Sequence, residues 1–337
     1  MALKNITGQE RAISMLQGIL KRKRLAGSYL FCGETGIGKK TAAINFAKAV
    51  NCLKVGSSSL DSQAGLLPIP TPQPPNPVVD ACDVCESCVK VDAGTHPDVL
   101  IVAPEERQIR IEEVRAIEEA LSFRPFEGRR KVVIVDDADT MNQAAANAFL
   151  KTLEEPPEDS LIILIASRPD RLPSTIRSRC SKIAFHTLSL DSCRKILDGR
   201  LAADEIEQAA RLSMGRPGLA LSADIKEDQG WFIGLLDSML RAEKDGWASR
   251  EEIEKWFDLA LTFMRDLAVL KETGRPGLLV NTDLAENLRT LGKSVDVQGI
   301  INIYKELSFV KTMLLFNLNK SLTWNYTAAL LRKELVS

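Results

Sequence analysis

A chain of 337 residues is longer than one ordinary hydrophobic core organises, so two or three domains are expected. Its 44 Lys and Arg against 45 Asp and Glu leave it close to neutral, which argues against a protein held on nucleic acid by bulk charge and leaves room only for a local basic patch. No apolar run reaches the roughly 18 residues of a membrane span, and Met1 to Thr7 lacks a signal-peptide core, so a cytoplasmic, reducing setting without a membrane partner is expected.

Ile13, Leu16 and Leu20, with Met15 and Ile19 beside them, repeat at helical spacing, and the basic run Lys21 to Arg24 suits the negative end of that helix. Ser28 to Cys32 reads as a strand. The next residues, Gly33-Glu34-Thr35-Gly36-Ile37-Gly38-Lys39-Lys40-Thr41, have the P-loop spacing G-x4-G-K between a strand and a helix, a context that weighs against an incidental glycine turn. Glycines let backbone amides curl closely around phosphate oxygens, and Lys39 supplies a point charge. Lys40 stands where a Ser or Thr hydroxyl normally holds magnesium, and Thr41 comes one residue late, about 100° around the helix. The phosphate cradle is therefore expected, and the metal half of the site is in doubt.

The helix from Thr41 directs Ala43, Phe46, Ala47 and Val50 inward and ends near Cys52. Lys54 to Asp80 has no aromatic residue and six prolines between Pro68 and Pro77, the composition of a flexible surface insertion; an interdomain linker is the alternative. Cys52 and then Cys82-x2-Cys85-x2-Cys88 suit a closed tetrahedral zinc site with a structural role, and a redox cluster is the other reading. Cys32, Cys180 and Cys193 lie within apolar patterns and read as core thiols.

Asp98 to Ala103 is a further strand, and Ile111, Val114, Ile117 and Leu121 mark a helix flanked by Arg110 and Arg115. Those arginines, with Arg124, Arg129, Arg130 and Lys131, are either a solvated face or a phosphate-contacting one. Lys131 to Val135 reads as a buried parallel strand ending in Asp136 and Asp137, at the strand end where open α/β sheets bind ligands. A helix follows, inferred from Ala144, Ala148, Leu150 and Leu153, and stops at Pro156 and Pro157. Leu161 to Ala166 is a second buried strand, after which Pro169 and Pro173 turn the chain into a segment carrying Arg171, Arg177 and Arg179. From Leu188 onward the pattern is helical. Cys193, Ile196, Leu197 and Leu201 form one stripe, Ala209, Ala210 and Leu212 another, and longer patterns run through Trp231 to Met239, Trp256 to Leu270 and Ile300 to Leu318.

The order of P-loop, cysteine cluster, acidic strand, LKTLEEPP (Leu150 to Pro157) and TIRSRC (Thr175 to Cys180) resembles the bacterial clamp-loader ATPases of the AAA+ class over Asn5 to about Ala220. The resemblance implies an α/β P-loop AAA+ domain with a zinc module over 1–187, a helical lid over 188–228 and an all-α collar domain over 229–337. It implies that Arg179 is a finger entering the nucleotide site of an adjacent subunit, that Asp136 and Asp137 are the strand-end acid and the catalytic carboxylate, that Ser167 is the first sensor, and that Gly8 and Gln9 belong to the adenine-side box. Gly215 to Leu221 is similar to the second-sensor helix start, with glycine at Gly218 in place of an arginine. Lys40, Asp137 and Gly218 together imply a non-motor, stator type of subunit of the DNA polymerase III clamp loader, with Zn2+ bound and ATP/Mg2+ bound weakly or not at all. The implied partners are gamma/tau and delta subunits in a hetero-pentameric ring, with the sliding clamp and primed DNA reached through the complex. The rivals are an active gamma/tau-like motor ATPase and a zinc-stabilised DNA-binding module without nucleotide function. Arg179 also has a local alternative, an ion pair with Asp136, Glu154 or Glu155 that fastens its turn.

Overall fold

Runs of Val, Ile and Leu without alternation bury both faces only in a parallel sheet covered by helices. In the computed structural model, which describes residues 1–54, 80–105, 108–222, 225–244, 246–316 and 318–335, such runs form the middle of a five-stranded sheet. The strands are β1 (Ser28–Cys32), β2 (Val99–Val102), β3 (Lys131–Val135), β4 (Ser160–Ala166) and β5 (Ser181–Ala184), in the order β2-β3-β4-β1-β5 with every pairing parallel. All strand carboxyl ends therefore share one edge of the sheet, and all amino ends share the other. Because β4 lies between β1 and β3, the residue after β4 stands between the loops that follow the other two.

The first of two units, Met1–Ile196, contains this sheet. Its helices are α1 (Glu10–Arg22), α2 (Lys39–Asn51), α3 (Glu86–Asp92), α4 (Ile111–Ser122), α5 (Gln143–Glu154), α6 (Ser174–Arg177) and α7 (Leu190–Leu197), the last reaching the boundary between the units. Asn142 caps α5, its side-chain oxygen accepting from the Ala145 amide at 2.8 Å, and the prolines that follow end it. The helix is where the sequence implies, but its inward face is Ala145, Ala146, Phe149 and Leu153. Of the four residues whose spacing marks the helix, Leu153 is buried, Ala148 and Leu150 are half-buried against the core and Ala144 is exposed, since an alanine does not reveal from sequence which side it faces. Strand β5 escapes the sequence reading for a related reason: it is a short edge strand with a single buried side chain, Ile183, so no period is visible. The proline-rich stretch expected as an insertion, 54–80, lies outside the described residues at 55–79.

The loop entering β3 hangs on one carboxylate. Asp98, buried at the start of β2, accepts hydrogen bonds from the amides of Phe126 (2.7 Å), Glu127 (2.9 Å) and Gly128 (2.7 Å). Asn51, at the end of α2, accepts from the Arg129 and Arg130 amides through its side-chain oxygen and donates to the Arg130 carbonyl.

The second unit, Leu197–Ser337, is all-helical among its described residues: α8 (Ala203–Leu212), α9 (Pro217–Ala220), α10 (Ile225–Leu240), α11 (Arg250–Thr273), α12 (Ala285–Leu291), α13 (Val297–Met313) and α14 (Lys320–Leu335). Its core is strongly aromatic. Trp247 meets Trp324 edge-on with centroids 5.0 Å apart and Trp256 at 5.7 Å, and Phe232, Phe257 and Phe263 pack around them. The expected inward residues Trp256, Phe263, Leu267, Leu270, Ile300, Ile303, Leu307, Val310 and Leu314 are buried. Tyr304 and Leu318, placed on the same pattern, are each 41% exposed. No helix among the described residues is long and apolar enough to cross a membrane.

Replacing Asp98 by Asn is expected to lower stability by about 3 kcal/mol, since an amide cannot accept three backbone bonds without turning its own donors on them. Burial alone would raise the Asp98 carboxyl, but the three amides outweigh it and hold its pKa below the ordinary carboxylate value. Its contribution is therefore complete above about pH 4 and is lost as pH falls below that. Urea unfolding followed across the acid range should show a decline in the wild type that is shallower in Asp98→Asn.

Candidate nucleotide site and thiol cluster

Gly33, Gly36 and Gly38 have φ of 148°, 80° and 96°, the left-handed region that side chains disfavour. A Cβ on Gly33 would stand 2.4 Å from the Phe185 carbonyl oxygen, so only glycine fits where β1 ends. Lys39, the first residue of α2, is buried and folds back over the loop. Its Nζ donates to the carbonyls of Gly33 and Glu34, both at 2.6 Å, and to Ser167 Oγ at 3.1 Å. Burial lowers its pKa, with Asp137, Asp139 and Asp136 opposing. Ser167, one residue past β4, is also bonded to Thr35 Oγ1 at 3.0 Å, and its amide and that of Arg168 donate to the Asp139 carboxylate at 3.1 and 3.0 Å. The strand order thus brings Gly33, Gly36, Gly38, Lys39, Ser167, Asp136 and Asp137 to one sheet edge.

Lys40 and Asp136 meet across this edge. Lys40 Nζ lies 3.0 Å from Asp136 Oδ2, with the lysine side chain 50% exposed. The acid that would help hold a magnesium ion in the implied site is already paired with an ammonium group. Thr41 is exposed at the next position of α2. Asp137 has a left-handed backbone, φ 44°, and its carboxyl is pushed above the usual range by burial, then by Asp136 and Asp139. The Gln9 side chain braces the loop: its amide donates to the carbonyls of Ile37 (3.1 Å) and His186 (2.7 Å), and its oxygen accepts from the His186 amide at 3.2 Å. Gly8, φ 80°, packs so closely on Leu188 that a Cβ would come within 2.8 Å of it.

The four cysteines expected to bind metal converge, with the sulfurs of Cys52, Cys82, Cys85 and Cys88 all within 4.8 Å of one another. Cys52 to Cys85 is 4.0 Å and Cys82 to Cys88 is 3.9 Å, close to the separation of about 3.8 Å that tetrahedral thiolates around one zinc require. The Cys85 amide donates to Cys82 Sγ at 3.3 Å. Burial raises the Cys82 thiol, but the Val84 and Cys85 amides and neighbouring thiols bring it down to about 6. Since α2 has 13 residues, Cys52 past its end lies roughly 20 Å from the P-loop at its start. The cluster is remote from any phosphate chemistry there. Lys48, the one lysine buried completely in α2, bonds Asp83 at 2.7 Å and Asp92 at 2.7 and 2.8 Å and so ties the cysteine-bearing segment to the helix. The sequence carries a signal for it, a lysine inside a mostly apolar helical stretch, which the apolar period conceals. The remaining cysteines, Cys32, Cys180 and Cys193, are buried and form no disulfide; Cys32 Sγ donates to the Ile183 carbonyl at 3.5 Å, and burial, partly offset by the Ser28 hydroxyl, pushes the Cys180 thiol up to about 11.

Arg179 sits just before β5, and its carbonyl accepts from Ser28 Oγ at 2.8 Å, at the beginning of β1. It therefore lies at the amino edge of the sheet. The five residues of β1, roughly 16 Å of strand, separate it from the P-loop at the other edge. Its guanidinium, 33% exposed, donates to the Thr175 carbonyl at 2.8 Å and pairs with Glu154, one of the three local partners weighed from the sequence. Arg129 and Arg130 also stand at the amino edge and reach the Leu53 and Ser160 carbonyls, so they brace the loop and do not line the P-loop.

A family profile described as "DNA polymerase III, delta subunit" matches residues 8–65 and 72–189. The chain is 26% identical to the DNA polymerase III subunit delta' of Bacillus subtilis over 92% of each sequence. It is 28% identical to the DNA polymerase III subunit tau of the same organism, over 88% of this chain and 55% of that one. Among solved structures, a gamma subunit-related protein from Thermotoga maritima aligns over 96% of this chain and 99% of that chain, with 21% identity and a TM-score of 0.47.

Lys48→Met should leave Asp83 and Asp92 facing each other across an apolar helix. Because both carboxylates keep some exposure, the expected loss is about 2–3 kcal/mol, below that for a fully buried pair. Chemical denaturation would check it, and hydrogen exchange should place the loosening at α2 and α3.

Proposed function

The chain belongs to the DNA polymerase III delta-subunit family of clamp-loader proteins, and we propose that it acts there as a non-motor subunit of the delta-prime type. In this reading it is the stator of the loader, and Arg179 enters the nucleotide site of a neighbouring motor subunit. The observation that carries it is the position of Arg179 at the sheet edge opposite its own P-loop, about a strand's length away, so that any phosphate it contacts belongs to another chain. A guanidinium fork suits a phosphate oxygen, and the single carboxylate that holds it, Glu154, is itself half exposed and can release it at little cost.

The Lys40–Asp136 pair supports a site that hydrolyses poorly. The match to the delta' relative over 92% of each chain supports the delta-prime reading. The near-equal identity to a tau subunit favours the rival reading of an active motor, and ATP turnover separates the two. The isolated chain is expected to hydrolyse ATP far below the roughly 1 per second of ordinary enzymes, and turnover at or above that rate would favour the motor.

The neighbours in this reading are gamma/tau and delta subunits in a hetero-pentameric ring that loads a sliding clamp on primed DNA. The second unit, from 229 onward, serves as the collar, and 188–228 as the lid. Exposed Tyr304 and Phe309 on α13 and Leu322 and Tyr326 on α14 support an interface there. Cys52, Cys82, Cys85 and Cys88 hold one structural zinc ion. Elemental analysis should find one zinc per chain, and a chelator should lower the melting temperature; normal folding without zinc would remove that assignment. In a reconstituted loader, Arg179→Ala should assemble normally yet slow hydrolysis at one neighbouring site by about 10³-fold. Unchanged ATPase and loading rates, with a lowered melting temperature, would make Arg179 a fastener of its turn.

A further inference from the structure

The family resemblance implies magnesium at the P-loop, and the residues present do not fit it. Magnesium requires oxygen ligands in near-octahedral array. The position that would supply a hydroxyl carries Lys40, whose Nζ stands 3.0 Å from Asp136 Oδ2 and offers no lone pair. Thr41, one residue on, points about 100° away around α2. The phosphate cradle itself is intact: three glycines hold positive φ, and Lys39 lies buried against the loop carbonyls beside Ser167.

We propose that this site takes the polyphosphate of a nucleotide without a divalent ion, with Lys40 as the built-in cation. The inference rests on the reading of the P-loop as a nucleotide site, and specifies which form of the nucleotide it accepts. An ammonium already neutralises Asp136, so a metal-bound nucleotide brings a second cation to a carboxylate that has none to spare. The free nucleotide keeps its full negative charge for Lys39, Lys40 and the amides at the start of α2. Magnesium in solution then competes with the protein for the phosphates. Binding is weak and falls with salt, since Lys40 is half exposed and its charge is screened.

The test is a titration of fluorescently labelled ADP with the full chain, in excess chelator and in excess magnesium, for the wild type, Lys40→Thr and Lys39→Ala. Wild-type affinity should be equal or higher in chelator. Lys40→Thr, which restores a hydroxyl and frees Asp136, should bind about tenfold or more tightly with magnesium than without. Lys39→Ala should lose binding under both conditions. Wild-type binding that needs magnesium, or a Lys40→Thr variant that gains no metal dependence, would overturn the inference while leaving the P-loop reading in place. No wild-type binding under either condition would overturn both, and so would wild-type-like binding by Lys39→Ala.

Discussion

The parallel pairing of β1 with both β4 and β5 is the constraint on which the remaining geometry depends. It gives the first unit two chemically different edges, separated by the length of a strand. At the carboxyl edge are the glycine loop, Lys39, Asp136 and Ser167. The amino edge carries Arg179, Glu154 and the loop that Asp98 and Asn51 pin. No rearrangement short of unfolding the sheet brings Arg179 to its own loop. Topology thus excludes a role for that arginine at its own P-loop, and the proposed role in trans also needs a partner of matching shape.

Ion pairs within this frame act differently according to burial. Lys48 is enclosed completely, so its bonds to Asp83 and Asp92 fix a segment in place, and the thiol cluster inherits that rigidity. Lys40 and Arg179 are each partly exposed, and their pairs with Asp136 and Glu154 are held loosely enough to be exchanged. The buried pair holds the fold, and the partly exposed pairs leave their cations open to exchange.

Much of this was legible in the sequence where the period or the motif was strong. The buried strands announce themselves by uninterrupted Val, Ile and Leu, the glycine loop by its spacing, and the thiol cluster by three cysteines with two residues between each and the next. Where side chains are small or strands sit at an edge, the pattern is weak: Ala144 and Ala145 look alike and leave the buried face of α5 open, and β5 has only Ile183 to mark it. The anchoring bonds of Asp98, Asn51 and Gln9 are not legible in the sequence, although the resemblance singles out Gln9 for an adenine-side role. Each acts on backbone groups that are distant in the chain, 28 or more residues away for Gln9 with Ile37 and Asp98 with Phe126, and nothing in a local pattern encodes such a bond. The Lys40–Asp136 contact is intermediate, since the sequence shows that lysine displaces a hydroxyl but not that it takes the acid as its partner.

The central claim, that Arg179 serves a site other than its own, is tested most directly by the structure of the assembled complex with a nonhydrolysable nucleotide bound to the motor subunits. The account predicts that the Arg179 guanidinium has left Glu154 and donates to a terminal phosphate oxygen held by the neighbouring chain. An Arg179 still paired with Glu154, with no nucleotide phosphate of any subunit within reach, would contradict it.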